Sequence, residues 1–140
     1  MSEKMFKLEV ITPDRVVYSS DRVVSVVVPG VEGYLGILAN RAPLVTQLDI
    51  GAVEFRKPDG DRDYIAVGGG FMEAFENTVT ILADSAELRE EIDVERAERA
   101  RARAQERIAA RLPETDIDRA QTALKRALTR LHVAGRKDAL

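Results

Sequence analysis

The amino-acid composition changes abruptly near residue 86, and this change constrains the fold more than any other feature of the sequence. Residues 1–86 hold 18 of the 23 Val and Ile, eight of the nine Gly and all seven aromatic residues, whereas residues 87–140 hold 11 of the 18 Ala. Branched and aromatic side chains favour strands, while Ala, Arg and Glu favour helices. The sequence therefore predicts a β domain over residues 1–86, followed by a linker and a helical segment over residues 87–140.

Short segments of alternating or continuous apolar character mark the strands of the first part. Alternation predicts half-buried strands, and the mostly apolar run 23–28 predicts one that is covered on both faces. The turn signal Pro58-Asp59-Gly60 joins two segments as a hairpin. Gly68-Gly69-Gly70 lacks the pattern of a phosphate loop and indicates a bulge or tight bend. Close spacing indicates an antiparallel sandwich or barrel, with strands at residues 6–10, 23–28, 53–56, 64–67 and 79–83.

Two helices are predicted in the second part. The first begins after the N-cap Asp93 and runs to Leu112, where Pro113 ends it. The second begins after Thr115 or Asp116, runs to about Ala134 and ends at Gly135. The short connection predicts an antiparallel two-helix hairpin. Its apolar stripes are narrow and rich in Ala, so the hairpin should be only marginally stable unless it docks on another surface.

Arginines at spacings of three and four form a positive face on each helix. These faces can be solvated surfaces, or they can bind an anion or an acidic protein, because guanidinium groups match phosphate and carboxylate geometry. Both faces lie opposite the apolar stripes, so periodicity alone does not bring them to one ligand. Nucleic acid is not expected as a partner, because no aromatic residue follows residue 86. The arginines are Arg96, Arg99, Arg103 and Arg107 on the first helix, and Arg119, Arg126 and Arg130 on the second.

The residue inventory excludes several classes of protein. The chain has no Cys and one His, which excludes disulfide frameworks, thiolate metal sites and multi-histidine metal sites. No set of Ser, His and acidic residues indicates catalysis. His132 is predicted to be solvated. The apolar runs are too short to cross a bilayer, so we expect a protein of a bacterial-type cytoplasm whose contact with a membrane comes through a partner.

Two stretches carry a family resemblance: PGVEGYLGILANRAPLVTQLDIG, residues 29–51, and IDVERA, residues 92–97, which opens the Arg-rich hairpin. With the opening KLEVITPDRVVYS and the closing LKRALTRLHVA, the whole chain resembles the epsilon subunit of bacterial F-type ATP synthase. The resemblance implies an N-terminal antiparallel β-sandwich and a C-terminal antiparallel two-helix hairpin. One departure is Arg41, where many members carry His, and it bears on contact with the rotor ring or the gamma subunit.

The resemblance also implies a regulatory ATP site. Members that bind ATP carry the pattern I/L-D-x-x-R-A, an acidic residue upstream and arginines on both helices. The matching residues here are Glu87, Ile92, Asp93, Arg96, Ala97, Arg103, Arg126 and Arg130. The alternative interpretation is local structure, with Asp93 as an ordinary N-cap and Ile92 and Ala97 as a hydrophobic staple. No catalytic cofactor or metal site is implied, and the sequence leaves any need for magnesium open.

By this resemblance the chain is a non-catalytic, peripheral subunit of the central stalk, at the cytoplasmic face of the cell membrane. It would couple rotation to ATP synthesis and inhibit ATP hydrolysis through a mobile hairpin. The implied partners are the gamma subunit, the membrane rotor ring and, when the hairpin is extended, the catalytic alpha/beta head. The alternative function is a free-standing β-sandwich adaptor whose hairpin binds an acidic protein without nucleotide.

Overall fold

A computed structural model describes residues 4–135, which form β-strands followed by two α-helices. The predicted segment 87–140 is therefore described only as far as Gly135. The strands are β1 (Phe6–Ile11), β2 (Val16–Val23), β3 (Ser25–Gly30), β4 (Gly33–Leu38), β5 (Leu44–Arg56), β6 (Arg62–Phe75), β7 (Thr78–Ala83) and β8 (Ala86–Leu88). A single 3₁₀ turn (Arg89–Glu91) leads to α1 (Val94–Ala110) and α2 (Ile117–Val133).

The strands pair in the order β2-β1-β7-β6-β5-β3-β4, with β8 added to β6. All of these pairs are antiparallel except β1 with β7, so the prediction of a purely antiparallel sandwich is wrong at this one pair. A parallel pair needs a long connection between its strands, and the chain from β2 to β6 supplies it. The predicted hairpin is confirmed, since Val53 pairs with Ile65 across β5 and β6.

The core lies between the layers of this mixed sandwich and follows the predicted alternation. Leu8, Val53, Phe55, Ile65 and Ile81 are all essentially inaccessible to solvent and belong to one apolar cluster. Fully burying a side chain of this size stabilises a fold by about 1.5–3 kcal/mol. The β domain therefore has a substantial core that includes no helix residue.

The predicted strand 23–28 is divided in the structure. Val23 ends β2, and a new strand begins at Ser25. Val26 and Val28 are buried while Val27 is only half-buried, so the strand is not covered on both faces. Strands β2 and β4 were not predicted, because β2 mixes polar and apolar residues and β4 carries Gly at two of its six positions.

The three consecutive glycines form a bend, as the sequence predicts. Gly69 and Gly70 have φ of 95° and 131°, and the pairing of β5 with β6 skips Gly69. A Cβ on Gly70 would collide with the carbonyl oxygen of Leu82. The bend separates two parts of β6: residues 70–75 pair with β7, and residues 65–67 pair with β8.

Both helices begin at the predicted carboxylates. Asp93 Oδ1 accepts from the backbone N–H of Arg96 at 3.1 Å, and Asp116 Oδ1 caps α2 in the same way. The predicted end of the first helix at Leu112 is wrong, because Arg111 adopts the left-handed conformation (φ 48°) and α1 stops at Ala110. Leu112 directly precedes Pro113, and helical dihedrals are disfavoured at the residue before a proline, so the helix does not include Leu112.

The hairpin docks on the sheet through α2, and α1 packs mainly on α2. Ala52 of β5 and Ala66 of β6 form a flat patch of small residues against which Ile92 and Val133 are buried. His132, which was predicted to be solvated, is half-buried, and its ring packs edge-on against Tyr64 with centroids 5.3 Å apart.

Because the core of the sandwich includes no helix residue, the β domain should fold without the hairpin. We expect a fragment of residues 1–88, which keeps β8 paired with β6, to show one cooperative thermal transition by circular dichroism. The full chain is the control. A broad, non-cooperative loss of signal from the fragment would contradict the division into two parts.

Candidate functional site

An open cleft of about 410 Å³ lies where the linker after β8 meets α1 and α2. Its walls hold three carboxylates, three guanidinium groups and two small side chains. Six of the eight residues predicted as a site line this cleft together. The wall residues are Glu87, Glu91, Asp93, Arg96, Ala97, Ala100, Arg103 and Arg130.

The remaining two predicted residues lie next to the cleft. Ile92 is buried in the docking interface with Ala52, Ala66 and Val133 and does not line the cleft. Arg126 lines a small adjoining pocket, whose wall shares Glu87 and Arg130 with the cleft. The structure thus brings together residues of the linker and both helices, which periodicity alone could not do.

Each carboxylate of the cleft already has a partner. Glu87 Oε1 accepts from Arg130 Nε at 2.5 Å, which joins β8 to α2. Asp93 caps α1, as the alternative interpretation of this residue predicts. Glu91 is bound by Arg15, a residue of the turn between β1 and β2.

Two arginines of the cleft wall differ from these carboxylates, because no ionic partner neutralises them in the described part of the chain. Within residues 4–135, Arg96 and Arg103 form no ion pair, and both are exposed. Guanidinium groups that are not already neutralised by a carboxylate are suited to bind phosphate oxygens in a bidentate manner. The cleft therefore offers an anion two such guanidinium groups, which lie about two turns of α1 apart.

Ion pairs also change the titration of two carboxyl groups that hold the C-terminal part to the sheet. The hydrogen bond from Arg15, followed by that from the backbone N–H of Leu88, lowers the pKa of Glu91. Lys125 Nζ, 2.5 Å from Asp49 Oδ2, lowers the pKa of Asp49. Both pairs are well exposed, so each makes only a small contribution to stability.

Arg89 is a structural residue that sequence reasoning missed. Its Nε donates to the carbonyl oxygen of Val133 at 3.0 Å, in the last turn of α2, where a cation is favourable. Its guanidinium also lies 3.5 Å from Asp63 and 5.9 Å from the ring centre of Tyr64. No local pattern reveals this contact, because Arg89 and Val133 are 44 residues apart. Arg15 was missed for the same reason. Glu91 was also missed, although its position directly before the Ile92-Asp93 motif is a signal that could have found it.

Comparison with known proteins gives the family. Residues 5–89 match the model of the ATP synthase delta/epsilon chain β-sandwich domain, and residues 90–135 match that of the long α-helix domain. The chain belongs to the ATP synthase delta/epsilon chain family. The order of the two matched regions is the order of the two parts predicted from composition.

Relatives from several bacteria are similar over nearly their whole length. The ATP synthase epsilon chain of Pelotomaculum thermopropionicum is 53% identical over 96% of this chain and 99% of that protein. The epsilon chain of Moorella thermoacetica is 50% identical over 91% of this chain and 95% of that protein. This protein is accordingly a non-catalytic subunit of ATP synthase.

Among solved structures, a chain of the Euglena gracilis mitochondrial ATP synthase (the OSCP/F1/c-ring part) superposes with a TM-score of 0.79. It is 25% identical, and the match covers 96% of this chain and 83% of that chain. A chain from the central stalk and c-ring of the Tetrahymena thermophila mitochondrial ATP synthase has a TM-score of 0.60 at 13% identity and shows the fold alone. Within residues 4–135, neither helix has the length and apolar character needed to cross a membrane.

The lowered pKa of Asp49 predicts a pH-dependent contribution to docking of the hairpin. A carboxyl whose pKa is lowered by folding stabilises above its ordinary pKa, about 3.9, and this contribution is lost as the pH falls through the folded-state pKa. We expect D49N to lower the free energy of unfolding at pH 7 by less than about 1 kcal/mol. The difference from wild type should shrink below pH 3.9 in urea titrations followed by helical circular dichroism.

Asp21 provides the control, because it is an exposed carboxylate of β2 without an ion pair in the described part of the chain. D21N should match wild type at every pH. A D49N defect of the same size at acidic and neutral pH would mean that the charge of Asp49 is not the cause.

Proposed function

We propose that this epsilon subunit belongs to the central stalk of an F-type ATP synthase at the cytoplasmic face of the cell membrane. The β-sandwich, with the predicted division near residue 86, joins the gamma subunit to the membrane rotor ring. The hairpin is a regulatory part that permits turnover when docked. Extended along gamma, it meets acidic segments of the catalytic alpha/beta head and inhibits ATP hydrolysis. Full-length similarity to epsilon chains favours this role over a free-standing adaptor.

A row of exposed apolar side chains supports a subunit interface on the sandwich. Phe71 pairs with Leu82, Leu82 with Ile11, and Ile11 with Val16, so the four residues cross adjacent strands. Phe71, Leu82 and Val16 are each more than half exposed. An exposed apolar row of this kind is typical of a protein interface, and we assign it to the gamma subunit.

The docked hairpin has the properties that a reversible switch requires. Its interface with the sheet buries two large apolar residues, Ile92 and Val133, on a patch made of alanines. The polar contacts that accompany them are one hydrogen bond from Arg89 to the carbonyl oxygen of Val133 and partly exposed ion pairs, each of which stabilises by at most about 1 kcal/mol. The free energy of docking should therefore be small enough for a ligand or a neighbouring subunit to reverse its sign.

We further propose that the cleft binds ATP and that ATP favours the docked hairpin. The observation that supports this proposal is the convergence of arginines from both helices beside the linker, with Arg96 and Arg103 free of ion pairs within residues 4–135. These two residues would hold the phosphates, together with Arg130 and the adjoining Arg126. Such a cleft exists only while α1, α2 and the linker are together, so its ligand stabilises the docked state.

The other predicted residues would serve the nucleoside. Ala97 gives an apolar wall of the cleft, and Ile92, buried in the docking interface, would hold the linker in place. The carboxylates of Glu87 and Asp93 would accept from the exocyclic amine or a ribose hydroxyl. A ligand present at 100 times its dissociation constant stabilises the state that binds it by about 2.7 kcal/mol, enough to change the ratio of docked to extended about a hundredfold.

Arginine variants test the site directly. We expect R103A and R126A each to weaken ATP binding to the isolated chain by about 1.5–3 kcal/mol, the range for hydrogen bonds to charged groups. R99A is the matched control, because Arg99 is an exposed arginine of α1 that does not line the cleft. Equal dissociation constants for all three variants and wild type by titration calorimetry would leave these arginines as solvated surface.

Removal of the hairpin tests the regulatory role. A chain that ends at Leu88, assembled into the complete enzyme, should hydrolyse ATP faster than the full-length subunit while proton-driven synthesis is kept. Hydrolysis should rise because the inhibitory hairpin is gone, and synthesis should be kept because the truncation leaves the sandwich and its apolar row unchanged. The comparison should be made at low and high ATP, since ATP favours the docked and permissive state. Hydrolysis no faster than wild type at either concentration would assign inhibition to another part of the enzyme.

A further inference from the structure

Arg15 reaches the rim of the cleft from a distant part of the sequence. It lies in the tight turn between β1 and β2, where Thr12 N–H donates to the carbonyl oxygen of Arg15 at 2.9 Å and Arg15 N–H donates to Thr12 Oγ1 at 3.3 Å. From this fixed turn its terminal nitrogen lies 2.8 Å from each carboxylate oxygen of Glu91. The two residues are 76 positions apart.

Glu91 is the least expected member of the cleft, because a carboxylate in the wall repels an anionic ligand. Its Oε1 accepts from the backbone N–H of Leu88 at 2.9 Å, so the side chain also holds the 3₁₀ turn that leads into α1. The carboxylate therefore has a local structural role that keeps it at the cleft. Its charge then has to be offset by another residue if the cleft is to take phosphate.

Charge balance shows what Arg15 adds. The cleft wall holds three carboxylates and three guanidinium groups, so the wall alone has no excess of either charge. Arg15 is not a wall residue, and it contacts Glu91 from outside. Its guanidinium changes the local balance in favour of an anion without taking space inside the cleft.

From this arrangement we propose that Arg15 is a specificity-determining residue of the cleft: by neutralising Glu91, it sets how strongly the cleft prefers the more highly charged nucleotide. This inference rests on the proposed binding of ATP. The effect is electrostatic, so it grows with the number of phosphate charges and falls as salt is added. Arg15 thus favours ATP over ADP while making no contact with either.

The test uses the isolated full chain and titration calorimetry with ATP and with ADP. We expect R15Q to weaken ATP binding about three- to tenfold and ADP binding less, with a smaller effect at high salt. R15K, which keeps the charge, should bind ATP within about twofold of wild type. R22Q, which removes an exposed arginine of the neighbouring strand β2, is the matched control and should bind like wild type.

Variants of Glu91 separate charge from structure. If Arg15 acts by neutralising Glu91, then E91Q should bind ATP at least as tightly as wild type, and the double variant R15Q/E91Q should recover the affinity that R15Q loses. If the pair is only a structural tether, E91Q weakens binding as R15Q does and the double variant does not recover. The second pattern overturns the proposal, as does R15Q with unchanged affinity for both nucleotides. Absence of ATP binding by wild type would overturn the proposed site itself.

Discussion

Docking of α2 on the alanine patch of β5 and β6 is the contact on which the other features depend. Ala52 and Ala66 present no bulk, so the helix end approaches closely enough for Val133 to be fully buried. That approach places Arg130 beside Glu87 and lets Arg89 reach the carbonyl oxygen of Val133 at the end of α2. Because α1 packs mainly on α2, its position follows from the same contact. Without docking, this contact would no longer hold the arginines of the two helices beside the linker.

The same contact would also allow a stable sandwich to carry the reversible hairpin that we propose. The core of the β domain is complete without the helices, whereas the helices have only narrow stripes of Ala and a few larger residues to bury. Burial of small side chains releases little free energy, and exposed ion pairs add little more. A hairpin held in this way can leave the sheet while the sandwich stays folded. Nucleotide bound between the linker and both helices would add a ligand-dependent term to this small balance.

Sequence reasoning predicted the elements better than their arrangement. Asp93 and Asp116 mark the helix starts because capping is a local interaction, and the alternation around Val53 and Ile65 marks a hairpin because adjacent strands pair. The parallel pairing of β1 with β7 depends on the whole chain and was missed. Family resemblance supplied the set of candidate site residues, six of which line one cleft. Arg15 was missed, because only the tertiary fold brings it to Glu91.

We propose that nucleotide shifts the hairpin towards the docked position, and this shift can be measured as a distance. The chain contains no Cys, so the variant D59C/Q121C can carry two spin labels, one on the turn between β5 and β6 and one on α2. Double electron–electron resonance, a pulsed EPR method, measures the distance between the two labels on this subunit in the assembled enzyme. If ATP holds the hairpin in the docked position, we expect one distance at saturating ATP and a second, longer population when ATP is removed. The same distance distribution with and without ATP would contradict it.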